Sequence, residues 1–240
     1  MTPRSFVGVK VQLALMAMLA GGTLIAISGC DPRALAYFLQ PNEPTIAPPC
    51  ETSFQGKKVV ILCHATSGAM EDYNSSLARD LTRELSAILR KKVKKITVVD
   101  ADKVATWVNA HPQWSDPGEL GRDFEADIVV FLEVELFRLQ APGDLNMLHG
   151  ESKVHVQVYE MQYPKNSKDK PIKDQPKEAI SVWDEFVESA FPNRGPIPID
   201  TGSSRSKFRI TFTKIVAKEV SWQFVEHAED DSIQDSRIER

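Results

Sequence analysis

Apolar and polar positions change their spacing several times along this chain, and each change marks an element. Val59-Val60-Ile61-Leu62-Cys63 is an unbroken apolar run, the pattern of a strand covered on both faces. From about Asp72 to Lys92 the residues Leu77, Leu81, Leu85, Ile88 and Leu89 recur at helical spacing, which predicts an amphipathic helix. Ile96-Thr97-Val98-Val99 is a second short strand. Asp100 reads as the N-cap of a helix carrying Val104, Trp107 and Val108, which His111-Pro112 stops. Asp116-Pro117 repeats the N-cap signal with proline at the first helical position, and a short helix through Leu120 and Phe124 runs into a strand from Ile128 to Phe137. After the turn Ala141-Pro142-Gly143-Asp144, residues Lys153 to Met161 alternate, with Val154, Val156 and Val158 on one face and Lys153, His155, Gln157 and Tyr159 on the other. One covered and one wet face is the habit of antiparallel strands. Residues 163–178 carry Lys, Asp and Pro without an apolar run and read as a solvated hairpin loop. A strand from about Ala179 to Ser189 contains Trp183 and Phe186. The closing helix, about Ser204 to Val225, repeats Phe208, Phe212, Val216, Val220 and Phe224 every four residues.

The order is therefore β-α-β-α-α-β-β-β-α. Right-handed crossovers make the first three strands parallel neighbours, and the hairpins that follow add antiparallel ones. This predicts an α/β fold of α+β character: a single mixed sheet of about five strands with helices packed on it.

Ahead of this domain, Arg4 and Lys10 precede an apolar run from Val11 to Ile27, and Ile27-Ser28-Gly29-Cys30 closes it. The stretch resembles the lipobox of bacterial lipoproteins, with cleavage between Gly29 and Cys30 and acylation of Cys30. Two acyl chains would hold the cysteine durably in a leaflet, where one binds only reversibly. Asp31 resembles an inner-membrane retention signal of enteric bacteria, a rule that does not transfer across lineages. Cell membrane and outer membrane thus both stay open, with the domain on the periplasmic side. Residues 1–29 are then a signal peptide, 30–56 a Pro-rich extended tether or surface wrap, 57–227 the α/β domain and 228–240 a charged tail.

The leader holds two basic and no acidic residues, so removing it takes the formal net charge from −4 to −6. A mildly acidic domain lacks the clustered basic face that nucleic acid requires. The nearest approach, Arg90-Lys91-Lys92-Val93-Lys94-Lys95, ends a predicted helix. It is read as a complement to the helix dipole rather than as a phosphate or lipid-headgroup patch. With Cys30 acylated, Cys50 and Cys63 remain. An oxidising compartment invites a Cys50–Cys63 disulfide, whereas the apolar run ending at Cys63 makes it equally a small buried hydrophobe.

No G-x-G-x-x-G, Walker loop, H-E-x-x-H, C-x-x-C or G-x-S-x-G is present, which calls for no cofactor and lowers the expectation of an enzyme. Cys63-His64 is the best nucleophile–base pair by type, but strand neighbours point to opposite faces. His64, Thr66, Ser67, Gly68 and Ala69 follow the first strand's carboxyl end, where open α/β sheets bind ligands. His149, Glu151 and His155 do not make a metal site, because Glu151 and His155 are about 13 Å apart along a strand. Glu133 and Glu135 share one strand face, either a wet face or an acidic recognition surface. Trp107 and Trp114 flank the helix break and are either core or, if exposed, a partner contact.

The element order and lipobox, with Lys58-Val59-Val60-Ile61-Leu62, the Leu77–Leu89 helix and Ile96-Thr97-Val98-Val99-Asp100, resemble a group of envelope lipoproteins. It comprises the curli-secretion lipoprotein CsgG, the exopolysaccharide lipoprotein PelC, the penicillin-binding-protein activator LpoB and the amino-terminal domain of TolB. Most telling is Leu120-Gly121-Arg122-Asp123-Phe124-Glu125-Ala126-Asp127-Ile128, in which a helix delivers Gly-…-Ala-Asp straight into a strand. The resemblance spans roughly residues 57–225 and implies a non-catalytic assembly or accessory module that recognises an envelope protein or polysaccharide, with homo-oligomeric rings among its members. The group shares no active site, so no functional residue carries over. The long membrane-crossing hairpins of the secretion pore have no counterpart here, since residues 163–178 are polar throughout. A second reading is a small-molecule or polysaccharide-binding domain using the crevice at His64–Ala69.

Overall fold

The structure is a computed structural model, and it describes residues 45–66, 76–199 and 204–228. In chain order its elements are β1 (Thr45–Ile46), β2 (Lys58–Ala65), α1 (Ser76–Lys92), β3 (Thr97–Val98), α2 (Ala101–Ala110), α3 (Pro117–Asp123), β4 (Ile128–Ala141), β5 (Asp144–Gln162), β6 (Glu178–Phe191), β7 (Ile197–Pro198), α4 (Arg205–Ser221) and β8 (His227–Ala228). Among the described residues there is a mixed six-stranded sheet, a two-stranded sheet and four helices packed on them. The large sheet runs β3-β2-β4-β5-β6, with β7 pairing the far end of β5. β2 is parallel to both β3 and β4, and β4, β5 and β6 are antiparallel in turn.

Val59, Val60, Ile61 and Leu62 are all buried because helices lie on both faces of β2. Val59 and Ile61 join α1, α4 and the inner valines of β4 and β5 in one cluster. Val60 and Leu62 join Val104, Trp107, Leu120 and Ala126 beneath α2 and α3 in another. The two N-cap residues read from sequence perform as caps, Asp100 accepting from the Asp102 N–H and Asp116 from that of Gly118, and Ser204 caps α4 by accepting from the Lys207 N–H. The first part of the predicted helix, Asp72 to Ser75, lies outside the described residues.

Asp127 locks β4 to β2. Its carboxylate accepts the Lys58 N–H at 2.9 Å and its own N–H donates to the Lys58 carbonyl at 2.8 Å, which sets Val59 opposite Ile128. Glu125, with φ 48°, makes the turn that delivers it. Gly121 belongs to the same joint, since a Cβ there would stand 2.5 Å from the Met161 sulfur.

β4 and β5 run beyond the predicted Phe137 and begin before Lys153. The pairing has register shifts between Val134 and Leu136 and again beyond Arg138, so the two-residue period breaks while the hydrogen-bonded ladder continues. Residues 45–56 form a surface wrap rather than a free tether. β1 pairs with β8, Cys50 donates its N–H to the Gln223 carbonyl, and Cys50 and Phe54 are buried.

Gly150 lets α4 lie close on β5, because a Cβ there would meet the Phe212 ring at 2.7 Å. Gly150→Ala is expected to cost about 1–3 kcal/mol through overpacking, measured by denaturant unfolding. An unchanged midpoint would show that Phe212 slides aside without penalty.

Candidate functional site

α2 and α3 pack on β2, and α3 also on β4, β5 and β6. Among the described residues no other helix covers this outer sheet face. The register places His64, Glu133, His155 and Phe186 in one row across four strands, and Leu62, Phe131, Gln157 and Asp184 in the next. On this face the His64 ring meets Trp114 edge-on at 5.9 Å and 85°, and Trp114 meets Phe131 at 5.8 Å and 82°. Asp184 accepts from Gln157 Nε2 at 2.8 Å and lies 2.5 Å from His155 Nε2. A carboxylate only accepts, so that nitrogen carries the proton. Hydrogen bonds from Gln157, then His155, hold the Asp184 carboxyl below its ordinary range. His155 stacks on Phe186 at 4.4 Å, and Lys153 Nζ sits over the same ring at 4.2 Å.

The outer boundary of this face is a strand edge. β6 ends the strand order, so its outer backbone is unpaired among the described residues. The register shift opposite Val158 and Tyr159 leaves Val182 as the extra residue of a bulge. Along this edge strand Ile180, Val182 and Phe186 are 44%, 37% and 47% exposed, Ile180 in the row of Ile128 and Glu160 and Phe186 in that of His155, on opposite faces of the sheet.

The residues singled out from sequence divide. Cys63 and His64 stand on opposite faces, as the strand geometry requires. Burial pushes the Cys63 thiol up to about 12, so it is a neutral thiol and not a nucleophile at neutral pH. His64 is exposed beside Trp114. The Thr66 hydroxyl is taken up by the Val134 carbonyl at 3.3 Å, which extends the β2–β4 pairing. Ser67, Gly68 and Ala69 lie outside the described residues, as do Gly29 and Cys30. A crevice of about 370 Å³ does open at the carboxyl end of β2, between α1 and α2, lined by Cys63, Arg79, Thr82, Val108 and Asn109 rather than by His64.

Of the two readings the sequence leaves open for Cys50 and Cys63, the structure has free thiols, Cys50 buried and Cys63 partly so. Trp107 is core and not a partner contact: it is 8% exposed and donates its indole N–H to Asp123 at 2.6 Å. Trp114 is half-buried and belongs to the open face. Glu133 and Glu135 are not a bare acidic surface, since Lys153 pairs Glu135 at 2.8 Å and His155 faces Glu133 at 3.9 Å. Glu151 pairs with Arg138 and His149. The loop 163–178 is shaped by Asn166, whose side chain accepts from the N–H groups of Lys168 and Lys170.

Asp184, Gln157, Ile180 and Val182 were missed as site residues. Each looks like an ordinary strand position in sequence, and only the β5–β6 register brings Asp184 against Gln157 and His155.

The chain matches no protein-family model and no curated protein. Solved structures similar to it include the PelC dodecamer of Paraburkholderia phytofirmans, at 11% identity and TM-score 0.41, covering 77% of this chain and 100% of that one. Another is the lipoprotein GNA1162 of Neisseria meningitidis, at 10% identity and TM-score 0.37, covering 68% and 98%. A third is the hypothetical protein CT253 of Chlamydia trachomatis, at 15% and 0.35, covering 61% and 76%. Likeness at this level establishes no shared function.

Because the Asp184 carboxyl is held low, its contribution to stability is present above the unfolded carboxylate range and is lost as pH falls through the folded value. Asp184→Ala is therefore expected to lower the melting midpoint at neutral pH by no more than about 2–4 °C, with the gap narrowing as pH falls below the ordinary carboxylate range. A gap that persists in acid would assign the effect to packing instead.

Proposed function

We propose that this chain is a membrane-anchored envelope lipoprotein whose α/β domain is a non-catalytic binding and assembly module for another envelope component. Cys30 is its lipid anchor, and the domain lies on the periplasmic side of the cell or outer membrane. The observation that carries the binding role is the edge of β6, unpaired among the described residues, along which Ile180, Val182 and Phe186 are exposed. An unpaired backbone edge offers hydrogen bonds to any extended partner segment, and alternate side chains give selectivity. Lys153 and Asp184 are already engaged within the sheet, by Glu135 and His155, and β6 also carries the exposed carboxylates Glu178, Glu185 and Glu188, so a partner segment with basic residues would suit this edge. Catalysis by the Cys63–His64 pair is disfavoured by the same geometry, since Cys63 is a neutral thiol on the far side of the sheet from His64.

A second reading is favoured by one feature. Trp114, Phe131 and the His64 ring stand beside Gln157, Asp184 and His155, and aromatic rings next to planar polar groups suit a sugar or another small polar ligand. The pocket beside His64–Ala69 is then shifted onto the open face.

In-cell crosslinking of the native protein beside Cys30→Ser is expected to capture one dominant envelope partner that the mutant loses. Equal capture by both would remove the anchor from the mechanism, and no capture in either would favour the ligand-binding reading. Thermal-shift titration with oligosaccharides, with His64→Ala as control, addresses that reading directly. A stabilisation of about 2.7 kcal/mol is expected at a hundred times Kd, absent in the variant, and no stabilisation by any sugar would end it.

A further inference from the structure

We propose that the cleft between the carboxyl ends of α1 and α4 docks a phosphate-bearing anionic lipid headgroup of the membrane that holds Cys30. This rests on the anchor reading above and adds a second, non-covalent contact to it.

The two helices lie side by side and parallel. Arg209, early in α4, pairs with Asp80, early in α1, at 2.8 Å. Their carboxyl ends therefore meet, and between them is a cleft of about 440 Å³ lined by Lys91, Lys92, Lys214 and Lys218. Dipole complementation accounts for Lys91, Lys92 and Lys218, which stand in last turns. It does not account for Lys214, which lies about two turns before the end of α4 and converges on the same space. Two carboxylates, Glu84 and Glu226, also line the cleft, so the lysines outnumber them two to one. Among the described residues no carboxylate lies within ion-pair distance of Lys91, Lys92 or Lys214. Trp222 forms one wall, with Lys218 Nζ 5.6 Å from its ring and the His227 ring stacked on it at 4.6 Å. An indole beside lysines matches the mixed apolar and charged character of a headgroup layer.

The position of the cleft selects the ligand source. His227, which lines it, is paired with Ile46, so the chain arriving from Cys30 joins the domain at this end. From Cys30 to Thr45 the chain spans at most about 50 Å. A lipid anchor would hold the cleft at high effective concentration over the bilayer surface, so even a weak headgroup site would be occupied.

The test uses the full-length product purified from membranes, with lipid on Cys30 confirmed by mass spectrometry, in nanodiscs of phosphatidylcholine alone or with one third phosphatidylglycerol. Lysine acetylation is read residue by residue. Acetylation of Lys91, Lys92, Lys214 and Lys218 is expected to fall about fivefold or more in the anionic discs. Lys103 on α2 and Lys207 at the other end of α4 should be unchanged. In Lys91→Gln/Lys214→Gln protein, Lys92 and Lys218 should react equally in both discs. Equal acetylation of the four lysines in a lipidated, incorporated chain overturns the docking role and leaves the anchor intact. Protection by inorganic phosphate in phosphatidylcholine discs, with no further effect of phosphatidylglycerol, overturns the lipid as the source. A chain without lipid on Cys30 fails the anchor reading and this proposal together.

Discussion

The structure depends on burying both faces of β2. Val59 through Leu62 are apolar without interruption, so a helix layer on one side alone would leave two of the four in water. Right-handed crossovers supply the two layers in the only order the chain allows, α1 going to one face on the way to β3 and α2 with α3 to the other on the way to β4. The joint at Asp127 then fixes where β4 meets β2, and the register of β5 and β6 follows from it strand by strand.

The open face is a consequence of that arrangement. α2 and α3 are short, 10 and 7 residues, and they are spent on β2 and the near ends of its neighbours. The antiparallel strands meanwhile run long, 14, 19 and 14 residues for β4, β5 and β6, and project past the helices on one side. What projects is polar, and its charges are matched across strands: Glu135 with Lys153, Arg138 with Glu151, Asp184 with His155. Internally satisfied polar rows beside an unpaired edge with exposed apolar residues suit a surface for contact better than a reaction centre.

Much of the fold was legible in the sequence because its signals were local. The N-caps at Asp100 and Asp116 are decided by one side chain and the turn it begins. The alternation of Val154, Val156 and Val158 showed a one-sided strand because nothing interrupts it there. The extensions of β4 and β5 were hidden by bulges that shift the face midway, and β1 and β8 are two residues each in segments with no period to read. The site was less legible. His64 was found by its place at a strand end, but Asp184, Val182 and Lys214 acquire meaning only from neighbours distant in sequence.

The central claim is that the β6 edge is the surface that meets a partner. The most direct measurement is a photocrosslinking residue placed in cells at Val182, compared with one at Ile210, equally apolar and 57% exposed on α4. The account predicts a single discrete adduct from position 182 and none from position 210. An adduct confined to position 210, or the same products from both, would contradict it.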